Sequence, residues 1–391
     1  MADRPPGSLS IAYLGDPNSI HLRRWAGYFA RLGHRVTLLI ADGLEVQPGL
    51  APEIAVERFV PFYHRRPRIA GMFDARRSLR RVLRQIRPDV LDAQYLTVNG
   101  WHAWMSGFHP YVVSVWGSDV FVTPRTSRRG AMFARLPLRS ADLVVAGSAS
   151  LMEAAISLGA RRDRAVTIAS GVDRTSFRPG PASPALRGRL GLEGRHVLFS
   201  PRAMKPLYRH GVVVDALTRL PDDVVALMVS YMADPTELSA VQRRAEELGV
   251  ADRVVIVPAI AHSDMPDFYR LADVVVSLPA SDSTPITLFE ALACERPVVA
   301  ADLPAVRELL GRLDPGALVP VDDPAQTATA IARALDRGPA ERAALATQGV
   351  VLVEEMADQD RNLARVEKLY RGLAAKRSGY GSRGGDGAAT R

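Results

Sequence analysis

The sequence predicts an α/β protein built from two doubly wound, Rossmann-like domains that face a central cleft. Three observations lead there. Short apolar runs alternate with helical patterns along most of the chain. The alternation is broken once, by the Pro- and Gly-dense segment 178–184, which reads as an interdomain linker. The 391 residues are too many for one average domain and comfortable for two.

The elements justify this in order. Ser10-Ile11-Ala12-Tyr13-Leu14 reads as a buried strand. The turn Gly15-Asp16-Pro17-Asn18-Ser19 leads into a helical pattern through Trp25, Phe29 and Leu32, which Gly33-His34 ends. Strands follow at 35–40, 89–93, 111–115 and 143–146. Beyond the linker the alternation resumes, with strands at 196–200, 224–229, 254–257, 274–278 and 297–300. Between them lie helices at 210–219, 236–248, 264–271 and 285–293. The expected domains are therefore 1–183 and 184–357, then a final helix over 358–374. The tail 375–391, rich in Gly, Ser and Arg, is expected to be disordered. Open α/β sheets bind ligands beyond the carboxyl ends of their strands, so the order of elements already implies a cleft enzyme or a hinged binding protein.

Composition narrows the classes. Hydrophobic residues make up 47% of the chain and charged ones 24%, an ordinary globular balance. The single cysteine, Cys294, allows no intrachain disulfide and fits a reducing cytoplasm. No signal peptide and no apolar run of membrane-spanning length is visible, so a cytoplasmic protein is expected. Charge is uneven. Residues 1–183 carry 25 Lys+Arg against 14 Asp+Glu, a balance of +11, and residues 184–391 carry 25 against 28, a balance of −3. Arg76, Arg77, Arg80, Arg81, Arg84 and Arg87 line one face of a helical pattern whose other face is Leu79, Val82, Leu83 and Ile86. Arg65, Arg66 and Arg68 precede it, and Arg125, Arg128 and Arg129 come later. Two readings compete. One is docking on an anionic membrane, at the inner membrane face. The other is a solvated crossover helix in a chain whose habitual base is arginine, with 47 Arg and 3 Lys. No module or aromatic–basic interleaving points to nucleic acid.

The most informative stretch is Ser281-Asp282-Ser283-Thr284-Pro285-Ile286-Thr287-Leu288-Phe289-Glu290. A strand ends in acidic and hydroxyl residues, and a helix is expected to begin at about Pro285, where a missing N–H costs nothing. Its open amides and dipole suit a diphosphate. Asp282 in the loop and Glu290 two turns on could accept hydrogen bonds from sugar and ribose hydroxyls. The plain alternative is a capped helix with one exposed Glu.

This segment resembles the acidic-x7-acidic motif of the retaining GT-B glycosyltransferases of family four, the glycosyl transferases group 1, with Asp282 in place of the first Glu. Ala291-Leu292-Ala293-Cys294-Glu295-Arg296-Pro297-Val298-Val299-Ala300, Phe268-Tyr269-Arg270-Leu271-Ala272-Asp273-Val274, Gly171-Val172-Asp173 and Val115-Trp116-Gly117-Ser118-Asp119 are similar to further family segments. The resemblance runs from about residue 10 to 373. It implies a GT-B fold with an acceptor-binding first domain, a second domain binding a nucleotide sugar, and a last helix returning to the first domain. It implies retaining transfer to a hydroxyl acceptor, which could be a natural product, a lipid-linked intermediate or a glycan. It also implies a basic pair on the donor diphosphate. Arg202 fits the first member; Lys205, Arg209 and His210 compete for the second. Asp282, Arg202 and Asp119 are the candidate catalytic residues. Ser283, Thr284, Pro285, Ile286, Thr287 and Glu290 join Arg202, Lys205 and Arg209 around the donor. Gly15, Asn18, Ser19, His21 and Trp116 are candidates for the acceptor. Many relatives carry His where this chain has Trp116, and often His near Asp92 and Gln94, so Trp116 is expected to act as an apolar wall or as core. There is no Cys/His cluster, and Asp322-Asp323 before Pro324 reads as a helix cap, so metal-independent chemistry without a cofactor is expected. Two alternatives share the fold: a nucleotide-sugar epimerase or hydrolase, and an inactive scaffold.

Overall fold

In the computed structural model, residues 7–64, 68–122 and 128–382 are described. The chain divides into two units, one of residues 1–170 with 361–391 and one of residues 171–360. In the first unit, strands β1 (Ser10–Leu14), β2 (Arg35–Ala41), β3 (Ala55–Phe59), β4 (Val90–Gln94), β5 (Tyr111–Val115), β6 (Leu143–Ala146) and β7 (Ala165–Thr167) form a parallel sheet in the order β3-β2-β1-β4-β5-β6-β7. In the second, β8 (His196–Ser200), β9 (Val224–Val229), β10 (Val254–Val257), β11 (Val274–Ser277), β12 (Val298–Ala301) and β13 (Leu318–Val319) run in the order β10-β9-β8-β11-β12-β13, again parallel. Both are doubly wound. The strand order reverses between β1 and β4 in one unit and between β8 and β11 in the other, which marks two topological switch points.

Parallel strands must be covered on both faces, and the residues alternate to allow it. On one face of the first sheet Leu14, Ala93, Val113 and Val115 pack under the helices Arg68–Ile86, Trp101–Ser106 and Arg128–Ser140. On the other face Ile11, Tyr13, Leu38 and Val112 meet the helix Ile20–Arg31 and Leu363, Val366 and Tyr370 of the last helix. Complete burial of such side chains is worth about 1.5–3 kcal/mol each, which anchors the last helix to this unit. In the second unit Phe199, Leu227 and Val275 face one cluster, while Leu198, Met228 and Val276 face the other.

Three sequence expectations change. The change of unit falls at Gly171, not at 183/184. Phe177 is buried in the second unit's core, and Arg270 donates to the carbonyls of Ser176 and Arg178, so the Pro-rich segment is lashed to that unit. Gly171 (φ +81) lies against Gln359 so closely that a Cβ would come within 2.5 Å of its Cα, which requires glycine. The tail is not disordered from 375. The last helix runs Gln359–Ser382, and Arg377 donates to the Pro88 carbonyl and stacks over Phe108 at 4.6 Å; residues 383–391 of that expectation lie outside the described residues. Helix Pro339–Met356 and the edge strands β3, β7 and β13 were not anticipated, whereas helix Pro324–Asp336 follows the cap read at Asp322-Asp323. Asp323 does cap the first of these helices, accepting from the Gln326 amide at 2.9 Å.

Candidate functional site

The second unit's switch point gathers most of the predicted donor residues. β8 ends at Ser200 and delivers Arg202; β11 ends at Ser277 and delivers the loop holding Asp282. The Arg202 Nη1 lies 3.1 Å from the Asp282 Oδ2 and donates to the Thr287 Oγ1 at 3.0 Å. Its guanidinium also stacks over the Tyr208 ring at 4.3 Å. Burial works against the charge of Arg202, but Asp282, Tyr208 and Tyr269 together outweigh it and raise the guanidinium pKa. The other Asp282 oxygen accepts from the Ser283 amide at 2.8 Å. A planar cation is thus held at the carboxyl end of the sheet by a carboxylate, a hydroxyl and an aromatic ring.

The helix after this loop begins one residue later than expected. Pro285 occupies the cap position with φ −80° and ψ 66°, an inverse γ-turn, and Ile286–Ala293 are helical. The Ile286 amide is spent on the Thr284 carbonyl at 2.8 Å, so it is not open to an anion as the sequence suggested. Glu290 is not exposed. It is buried and accepts from the Tyr269 hydroxyl at 2.8 Å.

The three candidates for a second cation separate clearly. His210 is fully buried, and burial holds its ring pKa down at about 4, so it is neutral at pH 7. Arg209, in the left-handed region at φ 52°, pairs with Asp322 at 2.9 Å and donates to the Pro206 carbonyl. Lys205 is half-buried, and its ammonium has neither a hydrogen bond nor an ion pair among the described residues.

The first unit's switch point is organised differently. Gly15 ends β1, where a Cβ would sit 2.7 Å from Leu22 and 3.3 Å from Gln94. Ser19 caps the helix Ile20–Arg31. Asn18, expected at the acceptor, is consumed by the protein. It donates to the Glu45 carbonyl and accepts from the Gln47 amide and Arg23. Asp119, expected to be catalytic, is held by the backbone. It is fully buried and accepts from the amides of Leu96, Trp116 and Gly117 at 2.8, 3.1 and 2.7 Å. Burial raises its pKa and those amides pull it back. Its work is to tie together the loops after β4 and β5. Trp116 is half-buried, donates its indole N–H to Gln94 at 3.1 Å and stacks on His21 with ring centroids 4.6 Å apart. His21 and Trp116 therefore form one aromatic wall.

Four features were not read from the sequence. Tyr208 supports Arg202 and Tyr269 holds Glu290. Tyr95 follows β4 with φ +89°, a strained conformation for a non-glycine residue, and opens the π-helical turn Leu96–Gly100. Among the described residues, no group of three or more His, Cys, Asp or Glu converges as a metal site, and no helix is long and apolar enough to cross a membrane.

The Glycosyl transferase 4-like family matches residues 10–148, and the Glycosyl transferases group 1 family matches residues 184–349. A D-inositol 3-phosphate glycosyltransferase of Acidothermus cellulolyticus is 31% identical over 323 residues, spanning 74% of this chain and 71% of that protein. The chain belongs to the group 1 glycosyltransferases. A D-inositol 3-phosphate glycosyltransferase of Xylanimonas cellulosilytica is 30% identical, over 60% of this chain and 64% of its own length. Among solved structures, the sucrose-phosphate synthase of Thermosynechococcus elongatus superposes with a TM-score of 0.79 at 19% identity, covering 94% of this glycosyltransferase and 99% of that chain. Anabaena HepE in complex with UDP-glucose superposes at 0.76 and 20% identity, over 93% and 100%. This glycosyltransferase therefore has the GT-B fold, as its motifs implied.

Proposed function

We propose that this enzyme takes a nucleoside diphosphate sugar at the switch point of its second unit and transfers the sugar to a hydroxyl acceptor with retention of configuration and without a metal ion. The observation that carries the reading is the half-buried Arg202, held by Asp282, Thr287 and Tyr208 at the carboxyl end of the second sheet. When the bond between the anomeric carbon and the phosphate oxygen breaks, the leaving diphosphate gains negative charge. A preorganised guanidinium stabilises that charge more than it stabilises the bound donor. Lys205 is the second phosphate cation in this reading, because Arg209 is paired with Asp322 and His210 is neutral. Two cations supply the charge compensation that a divalent ion would otherwise give. Asp282 orients Arg202 and meets the sugar; Ser283, Thr284 and Thr287 offer hydroxyls beside the phosphates; Glu290 takes the ribose. Retention follows if the acceptor hydroxyl attacks the face from which the diphosphate departs and passes its proton to the leaving phosphate oxygen. The wall of His21 and Trp116 borders the acceptor. HepE binds UDP-glucose on the same fold, which favours a nucleoside diphosphate donor here.

The test is thermal stability with UDP, GDP, ADP and dTDP, with and without EDTA, for the wild type and Arg202→Ala. A nucleotide at about a hundredfold its dissociation constant adds roughly 2.7 kcal/mol. One nucleotide raising the midpoint, indifferent to EDTA and silent in Arg202→Ala, is expected. A shift that EDTA abolishes sinks the metal-free reading, and no shift with any nucleotide sinks the donor site. A product of inverted anomeric configuration sinks retention.

A further inference from the structure

Half of the fourteen large apolar side chains exposed among the described residues come from one stretch of the first unit, residues 63–136, and most of these lie on two helices. On the helix Arg68–Ile86, Ile69 and Phe73 are 69% and 68% exposed. They are four residues apart, and at 100° per residue they share one stripe, about 100° wide, with Arg76, Arg77, Arg80 and Arg84. The opposite face is buried, Leu79 and Val82 against the sheet and Ala75 against Trp101. The helix Arg128–Ser140 repeats the arrangement. Met132 and Leu136 are exposed on one side with Arg135 and Arg139, while Ala134 and Leu138 are buried. The short helix Trp101–Ser106 connects the two. Trp101 packs with Ala75 and Met72 on one side and meets the Phe133 ring, 4.7 Å away, on the other.

A merely solvated crossover helix does not explain this face, because a solvated stripe has no use for Ile69 and Phe73 in open water. Its charge has one sign. The two helices hold ten arginines and one acid, Asp74, which meets His64 at 3.2 Å. Arg76, Arg77, Arg81, Arg135 and Arg139 have no ion-pair partner among the described residues. Exposed apolar side chains ringed by uncompensated arginines match a surface that is negative at its boundary and apolar beneath, an anionic lipid bilayer. We propose that the outer face of these two helices docks this enzyme on an anionic membrane. Ile69, Phe73, Met132 and Leu136 enter the acyl boundary and the arginines meet the headgroups. Neither helix could cross the bilayer, so the contact is peripheral and reversible.

The experiment is flotation of the full chain with vesicles of phosphatidylcholine alone or with roughly 30% phosphatidylglycerol. It is run for the wild type, Ile69→Ser/Phe73→Ser and Arg76→Glu/Arg77→Glu, with circular dichroism and sedimentation velocity on each. The expected result is partitioning onto the anionic vesicles only, about tenfold or more weaker in each double variant and weakened by roughly 0.5 M salt, where screening shortens to a few Å. Both substituted pairs lie on the exposed stripe, so unchanged dichroism is expected. Three results overturn the proposal: no partitioning onto either vesicle, partitioning indifferent to the apolar double variant, or a wild-type dimer that the apolar variant dissolves while vesicles capture nothing. The last would assign the face to a second copy of the chain.

Discussion

At the two switch points the same sheet topology puts polar residues to opposite uses. In the second unit the polar groups converge outward on a place where a ligand's charge can sit: Arg202 is braced by Asp282, Thr287 and Tyr208, and Lys205 stands nearby with no hydrogen bond or ion pair among the described residues. In the first unit the polar groups turn inward. Asp119 is saturated by three backbone amides, and Asn18 is saturated by Arg23 and the 45–47 segment. What remains beside the loop is an aromatic wall, His21 on Trp116. A site for a charged, invariant part of a substrate needs fixed charge, whereas a site for a variable partner needs a rigid frame whose surface can change. The second unit has the character of the first kind and the first unit of the second.

The largest effect expected from this contrast is at Asp282. In Asp282→Asn the side chain keeps its shape but loses the charge that braces Arg202, and turnover should fall about 10²- to 10³-fold, roughly 2.7–4 kcal/mol of transition-state stabilisation. The nucleotide-induced rise in thermal midpoint should survive. Loss of both together would reduce Asp282 to a clamp for Arg202 and remove it from the chemistry. Asp119→Ala tests the opposite half. Stranding three buried amides should destabilise the first unit by about 3 kcal/mol in urea unfolding, with the nucleotide response of the second unit unchanged. An Asp119→Ala protein of native stability but without turnover would restore Asp119 to the catalytic set. A smaller pair of changes sharpens the donor side. Lys205→Ala should weaken nucleotide binding by about tenfold to a hundredfold, the span of one charge-assisted contact, while Arg209→Ala should barely move it. The reverse order in a titration calorimetry series would mean that Arg209 leaves Asp322 when the donor arrives.

How far the sequence carried this contrast depends on what each residue's role required. The strands that build the switch points were legible, because 10–14, 196–200 and 274–278 are apolar runs bounded by turns, and burial on both faces demands such runs. β3 was not, because Ala-Val-Glu-Arg-Phe at a sheet edge has only one covered end and reads as polar. Arg202 and Asp282 were legible as types at strand ends, since charge there has few structural uses. Asp119 has the same type at the same kind of place, and only its burial beneath three amides distinguishes it. Sequence spacing does not encode burial. Nor does it encode the pairing of Arg209 with Asp322, 113 positions away, which is what sets Arg209 apart from Lys205. The last helix misled for a different reason. Gly and Ser near the terminus suggested disorder, but the helix-favouring Ala374-Ala375-Lys376-Arg377 run and the anchor of Arg377 on Pro88 and Phe108 carry the helix on.

That last helix also makes the inward-turned unit sensitive to pH. Asp92, fully buried in β4, accepts hydrogen bonds from Ser114 and from Tyr370 of the last helix. Burial pushes its carboxyl up to about 7, against the pull of Tyr370, Ser114 and Gln94. A carboxyl that holds its proton more tightly when folded than when unfolded contributes stability that is complete below its unfolded pKa and is lost as pH rises through the folded one. Between about pH 4 and pH 7 the native state binds the extra proton, so unfolding free energy should fall with pH by at most about 1.4 kcal/mol per unit. Asp92→Asn keeps acceptors for Tyr370 and Ser114 but cannot ionise, so its stability should be flatter across that window and should exceed that of the wild type at pH 8. The second unit's nucleotide response does not involve Asp92 and should be nearly level over the same range. Parallel urea-midpoint slopes for Asp92→Asn and the wild type from pH 4 to pH 8 would mean that Asp92 stays ionised in the fold. The junction of β4 with the last helix would then be held by a charged carboxylate.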